Sequence, residues 1–399
     1  MGWQLFPPKA WKARARWYVY GTVGITTALA VLLGTLAMGC WRSDFVLGQG
    51  AGWWLTLIVC CLLMMVPISQ VVIDIYNHLL YRIHKPRSTF KLKFKDGSIP
   101  DEYATMVIMP TILKDAKKTR QMLDQLEVYY LSNGAVDNLY FTLIGDASAQ
   151  QSKEMPFDQE IVEAGLARVN ELNEKYGHHI FNFVYRHRAW SEGERCWLGW
   201  ERKRGAILHF NDLLLGHLGE KEKADYFHCQ TIDAWRAHSV AQSGRVSMVA
   251  EHRQPITFVI TLDTDTELVL YSAQKLIGAM AHPLNRAKLS ADGQRVESGY
   301  GIMQPRINVD VEVTNKSRYA QLFSGLGGLD VYTTASFELY QDIFDEGSFC
   351  GKGIYDLEIF QKVLKGRFPD NLILSHDLIE GCHIRCGLIN DVELFDDSP

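Results

Sequence analysis

Two uninterrupted apolar runs open the chain, Trp17 to Cys40 and Trp53 to Ile73, and neither contains a charged residue. A helix needs about 20 apolar residues to cross a hydrocarbon core about 30 Å thick, so each run predicts a transmembrane helix. The first run exceeds the apolar core of a signal peptide, and no small-residue cleavage site follows it. From Thr105 onward, short β-rich runs alternate with amphipathic ones. Strands are expected over Thr105–Met109, ending at Pro110; Asn138–Ile144, ending at Gly145-Asp146; Ile180–Tyr185; and Thr257–Leu262, ending at Asp263. Helices are expected over Asp115–Leu131, with Leu123, Leu126 and Tyr130 on one stripe, and over Lys203–Leu215. Another is expected over Asp158–Tyr176, where Ile161, Val169, Leu172 and Tyr176 recur at helical spacing and Gly177 is a stop. The alternation predicts an α/β domain with a mostly parallel, doubly wound sheet, whose ligands gather at the carboxyl ends of strands. Asp146 and Asp263 both fall at such ends.

The pattern divides the chain into a basic tail (1–16), a transmembrane hairpin (17–81), a basic linker (82–104) and the α/β domain (105–399), with a polar insertion around 226–253. Lys9, Lys12, Arg14 and Arg16 precede the first apolar run, and Arg82, Lys85, Arg87, Lys91, Lys93 and Lys95 follow the second. Cytoplasmic flanks collect Lys and Arg, so both ends of the hairpin and the α/β domain are expected in the cytoplasm. Trp41, Trp53 and Trp54 stand where interfacial aromatics belong. A net charge of −5, with no pooling of basic residues on one face, argues against a nucleic-acid binder, and 47% hydrophobic residues argue against a disordered chain. The eight cysteines include no CxxC pair, and Cys382 and Cys386 with His376 and His383 match no common zinc spacing. Ordinary reduced thiols of a cytosolic domain are expected.

Four short passages could carry chemistry. In Ile260-Thr-Leu-Asp263-Thr264-Asp265 a strand runs into two carboxylates that can both reach one hard cation, Mg²⁺ or Mn²⁺, leaving positions open for diphosphate oxygens. In Leu374-Ser375-His376-Asp377 an Asp after an apolar run is a candidate general base, although taken alone the passage reads more readily as an ordinary helix cap. The cation cluster Arg202-Lys203-Arg204 at a helix start suits a phosphate or a solvated basic turn. Gly347-Ser-Phe349-Cys350-Gly351-Lys-Gly353 permits close backbone approach to a ligand. Gly325-Leu-Gly327-Gly328 fails the dinucleotide fingerprint, because Asp330 stands where its last glycine belongs, and is expected to be a turn; His282 is expected to be structural.

These passages together resemble the glucosyltransferase domain of bacterial cyclic β-1,2-glucan synthases. The resemblance is carried by Gly193–Gly205, Met280–Arg286, Gly299–Arg306, Gly347–Asp356 and Leu374–Gly381, in order along nearly the whole chain. It implies a GT-A, Rossmann-like fold related to processive cellulose and chitin synthases, a UDP-glucose donor, a β-glucan acceptor and a lipid bilayer, the bacterial inner membrane, as partner. By the same likeness Asp146 lies near the uracil or ribose, and Lys203 beside the nucleotide. Asp263 and Asp265 serve the metal and diphosphate, and Asp377 is the base of an inverting single displacement. Phe349, Cys350 and Gly351 look like an acceptor-site Phe-Cys-Gly, and Gln304 belongs to a similar acceptor-side stretch. Related synthases carry a Gln/Arg-x-x-Arg-Trp motif downstream of the base, then further membrane helices and a phosphorylase-like region. This chain reaches Pro399 before such a motif, so a C-terminally truncated piece of a longer polypeptide is expected. Two alternatives stay open: a related membrane synthase making another β-glycan, and an inactive membrane subunit that binds nucleotide or glucan.

Overall fold

The computed structural model of the chain describes residues 9–41, 51–83, 89–228, 231–233, 256–309, 341–370, 372–373 and 375–396. The expected turn at Gly325–Gly328, the loop with Arg42 and Asp44, and most of the polar insertion (229–230 and 234–253) lie outside them. The chain forms two compact units: residues 1–87 with 334–347, and 88–333 with 348–399.

The first unit contains helices α1 (Lys9–Trp41) and α2 (Ala51–Ile83). They run antiparallel, because Tyr18 donates to Asn77 Oδ1 at 2.7 Å while a Cβ on Gly34 would stand 2.7 Å from Cys61 Sγ. Small residues let the two backbones approach at that crossing. Trp17, Leu32, Leu62, Leu63 and Val66 point outward and are exposed. The stretches Ala15–Gly39 and Gly52–Leu80 are long and apolar enough to cross a membrane.

In the second unit, described strands and helices follow the order β1 (Thr105–Leu113), α3 (Ala116–Ser132), β2 (Leu139–Ala147), α4 (Pro156–Tyr176), β3 (Phe181–Arg186), β4 (Ala189–Ser191), β5 (Cys196–Leu198), α5 (Arg202–Leu215), α6 (Glu220–Tyr226), β6 (Phe227–His228) and β7 (Phe258–Thr261). After β7 come β8 (Thr266–Glu267), α7 (Ser272–Ala281), β9 (Lys288–Leu289), β10 (Val296–Ser298), β11 (Ile302–Val309), β12 (Gly353–Asp356), α8 (Leu357–Leu364), α9 (Asp377–Ile384) and β13 (Cys386–Asp396). Nine of the described strands make one sheet in the order β6-β3-β2-β1-β7-β12-β11-β13-β8. Its long ladders, β1 with β2, β2 with β3 and β11 with β13, are parallel; the antiparallel pairings are short. The fold is therefore mixed α/β around a large, mostly parallel sheet.

Alternation along β1 builds two cores. Val107 and Met109 face Leu123 and Leu126 of α3 and Ile161 of α4. Met106 and Ile108 face Ile207 and Phe210 of α5 and Phe360 of α8. Asp115 caps α3 by accepting from the Lys118 N–H at 2.7 Å, and Gly177, at φ 70°, ends α4. One expectation fails: β1 does not end at Pro110 but runs through it to Leu113. The Thr105 N–H points to the β2 side and the Ile108 C=O to the β7 side. Pro110 thus has its missing N–H toward β7, beyond the last β1–β7 pair, Ile108 with Thr261, and no ladder bond is lost.

Candidate functional site

The carboxyl ends of β1, β2 and β7 share one edge of the sheet. Antiparallel β12 begins there, Gly353 opposite Thr261, so the turn Cys350-Gly351-Lys352 sits at the same edge. Asp263 follows two residues after β7 and is half-buried. Lys203, in the first turn of α5, reaches it: the ammonium lies 2.5 Å from Asp263 Oδ1 and also donates to the Gly351 C=O at 2.9 Å. Lys352 approaches the other Asp263 oxygen at 3.5 Å and pairs with Asp396. The Thr266 hydroxyl donates to Asp396 Oδ1 at 2.7 Å. Burial alone would lower the Lys352 ammonium, but the Asp396 carboxylate, with Asp263 and Asp265, outweighs it and raises it above its ordinary value. Asp265 is exposed.

A buried ion pair sets where Lys203 stands. The Arg186 guanidinium grips Asp146 through two hydrogen bonds, of 2.6 and 2.7 Å, and donates to the Trp200 and Arg202 carbonyls at 2.7 and 2.8 Å. Those carbonyls belong to the turn that enters α5, where Glu201 (φ 54°) and Arg202 (φ 49°) are both left-handed without being glycine. Glu201 is tied down in turn by Arg204 at 2.6 Å. Both oxygens of Asp146 are thus engaged by Arg186. Gly199 lies against the pair so closely that a Cβ there would stand 2.7 Å from Asp146 Oδ2.

Gly351 joins the two halves of the site. It is left-handed, at φ +84°, and a Cβ on it would stand 2.7 Å from Asp377 Oδ1 and 3.0 Å from Lys203 Nζ. Asp377 opens α9 and does not cap it: His376 is the capping residue, without a side-chain cap bond. Lys203, Asp263, Gly351 and Asp377 are therefore neighbours. Gln304, fully buried on β11, accepts from the Cys350 N–H at 2.6 Å and so fixes the Gly351 turn. Phe349 is buried in the core, packed on Gly381 of α9. Burial pushes the Cys350 thiol up to about 12.

No family model matches this chain. Over 346 residues, 86% of the chain, it is 33% identical to the "Cyclic beta-(1,2)-glucan synthase NdvB" of Rhizobium meliloti (strain 1021). The chain is related to the cyclic β-(1,2)-glucan synthases. It spans 11% of the length of that curated relative.

Four residues of this synthase-related chain that its sequence did not single out complete the site. Arg186 has an ordinary strand-end position, and only the fold shows it buried against Asp146. Lys352 lies inside the glycine-rich passage, whose local signal comes from the glycines on either side of it. Asp396 comes from the far end of the chain and gives no local signal. Glu380, one helical turn beyond His376, is 2% exposed, and its carboxyl is raised by burial above the usual range despite His376 beside it. A charged residue on the buried side of a short apolar helix was the available clue.

Proposed function

We propose that the chain is the glucosyl-transferring part of a membrane-bound β-glucan synthase, a GT-A-type enzyme domain that takes UDP-glucose as donor and extends a β-1,2-glucan with inversion. One observation carries this reading: Asp263 and Asp377, remote in sequence, flank the same Lys203–Gly351 contact, in a chain related to a cyclic β-glucan synthase. Asp263 and Asp265 are oxygen donors two residues apart, half-buried and exposed, and they would suit Mg²⁺ or Mn²⁺ once Lys203 and Lys352 turn from the Asp263 oxygens to the diphosphate. When bound, such an ion would neutralise charge on the departing UDP. Lys203 and Lys352 set two more cations against the diphosphate. Asp377 takes the proton of the attacking acceptor hydroxyl. Asp146 acts through Arg186 by fixing the turn before Lys203, and Gln304, Phe349 and Cys350 support the acceptor side from beneath Gly351. The two apolar helices lie in the bacterial inner membrane, with their basic flanks and the catalytic domain on the cytoplasmic side.

The test uses the full chain in lipid nanodiscs. UDP titrated with and without Mg²⁺ should bind in a metal-dependent way and lose affinity in Asp263→Asn. Asp377→Asn should keep UDP binding and lose roughly two to four orders of magnitude in glucosyl transfer. Metal-independent binding, or none, overturns the Asp263/Asp265 role, and undiminished transfer in Asp377→Asn overturns the base. Digestion of the product with linkage-specific glucanases separates a β-1,2-glucan from another β-glycan. UDP binding without any transfer favours a nucleotide-binding subunit instead.

A further inference from the structure

Asp377 does not stand alone at the start of α9. The Glu380 N–H closes the first turn on the His376 C=O at 2.9 Å, which stacks positions 376 and 380 on one face with Asp377 beside them. One ligand atom from each of His376, Asp377 and Glu380 falls within a cluster 4.8 Å across. His376 Nδ1 is 3.4 Å from Asp377 Oδ1 and 3.1 Å from Glu380 Oε2. The Glu380 contact has the length of an ion pair, while His376 Nδ1 and Asp377 Oδ1 are buried without a well-directed hydrogen bond. Three ligand atoms that converge with poorly directed hydrogen bonds have the arrangement of ligands around a common centre. Zinc bonds of about 2.0–2.1 Å in a tetrahedron hold their ligands about 3.3 Å apart, which matches both separations.

The charges agree. Two carboxylates meet here beside one imidazole, and Glu380 is almost wholly buried, so a divalent ion would serve both carboxylates where His376 pairs with one. Besides His376, the cations near the cluster among the described residues are engaged elsewhere, Arg204 with Glu201 and Lys203 with Asp263 and the Gly351 carbonyl. An imidazole with two carboxylates and one open position suits zinc, whereas Mg²⁺ prefers oxygen ligands in an octahedron.

We propose that His376, Asp377 and Glu380 form a three-ligand site for a zinc-class divalent ion, separate from Asp263 and Asp265, and that filling it withdraws Asp377 from the acceptor hydroxyl and inhibits transfer. The site itself stands on the cluster geometry; the inhibition rests on Asp377 being the base.

Cobalt reads the site without any turnover, because tetrahedral Co²⁺ has an intense visible spectrum that octahedral Co²⁺ lacks. Co²⁺ titrated into the full chain in nanodiscs should give that spectrum at about one equivalent and lose it to added Zn²⁺, as expected of a tetrahedral site. It should vanish in His376→Ala and in Glu380→Gln, which keeps the side-chain size, and persist in Asp263→Asn. No tetrahedral spectrum in the wild type, or the same spectrum in both cluster variants, overturns the site. Zinc at the filling concentration should slow glucosyl transfer by roughly two orders of magnitude, the scale of a lost base, and leave the residual rate of Glu380→Gln unmoved. Cobalt binding with zinc-insensitive transfer overturns the inhibition and leaves the site standing. A chain with no transfer at all refutes the synthase reading, and the cobalt spectrum still decides the site.

Discussion

A methyl group on Gly351 would stand 2.7 Å from Asp377 Oδ1, so this glycine is what lets the carboxylate approach the turn that Lys203 holds. Its φ of +84° adds a second demand that only glycine meets without strain. Gly351→Ala should cost about 1–2 kcal/mol of stability for the left-handed backbone. Glucosyl transfer should fall much further, by roughly two orders of magnitude, because Asp377 or Lys203 must move, and small misplacements of reacting groups cost about that much. Thermal unfolding and a transfer assay on the same preparation check the pair of effects. Stability lost with transfer intact would separate the turn from the chemistry.

The Arg186–Asp146 pair is buried on both sides, with side-chain exposures of 1% and 8%. Removing one partner of such a pair leaves an uncompensated charge in the interior, so Arg186→Met should destabilise by about 3–5 kcal/mol. Asp146→Leu combined with Arg186→Met should recover part of that loss, because no isolated charge remains. Urea midpoints of the two single variants and the double variant measure the coupling. A double variant as unstable as the sum of the singles would show that Arg186 acts chiefly through the Trp200 and Arg202 carbonyls.

Local pattern carried the parallel half of the sheet and little of the site. Apolar runs of β-forming residues marked β1, β2, β3 and β7, and helical spacing marked α3, α4 and α5, because those signals come from neighbours in the chain. Pro110 misled because the cost of a proline in a strand depends on which side its missing N–H faces, and that depends on the register with β7. Lys203 meets Asp263 across 60 residues and Gly351 across 148, distances at which no periodicity operates. Gln304 and Phe349 were legible as members of a resembling passage, but the burial of Gln304 depends on β11 being an interior strand and that of Phe349 on its packing against α9, neither of which the alternation along the chain signalled.

His209 gives the fold a defined acid sensitivity. Its ring is stacked between Trp200 at 4.8 Å and Tyr226 at 4.3 Å. Burial, reinforced by the Arg186 charge, lowers its pKa to about 4. Between that value and the ordinary one of about 6.5, the unfolded chain binds the proton and the folded one does not. Stability is therefore fully present above about pH 6.5 and declines as the pH falls toward 4, by up to about 3 kcal/mol from this group. His209→Phe keeps an aromatic ring in the stack and should flatten that part of the profile. Unfolding midpoints measured between pH 7 and pH 4.5 decide it; equal slopes in wild type and His209→Phe would assign the acid sensitivity to other groups.

Lys352 is the one cation in contact with both Asp263 and Asp396 among the described residues, and it keeps two carboxylates from facing each other. In Lys352→Met, Asp396 would retain the Thr266 hydroxyl as its side-chain partner among the described residues, and its negative charge would add to those of Asp263 and Asp265 at the edge where the diphosphate is expected. Losing one charge-assisted contact of this kind corresponds to about 1.5–3 kcal/mol, so UDP in the presence of Mg²⁺ should bind roughly ten- to a hundredfold more weakly. Asp396→Asn makes the complementary change: it removes the competing carboxylate and leaves Lys352 to Asp263 and the ligand, so UDP affinity should hold or improve while stability drops. Calorimetric titration of the two variants gives opposite signs if Lys352 serves the diphosphate. The same modest loss in both would mean that Lys352 and Asp396 are a structural pair that braces the end of β13 against β8.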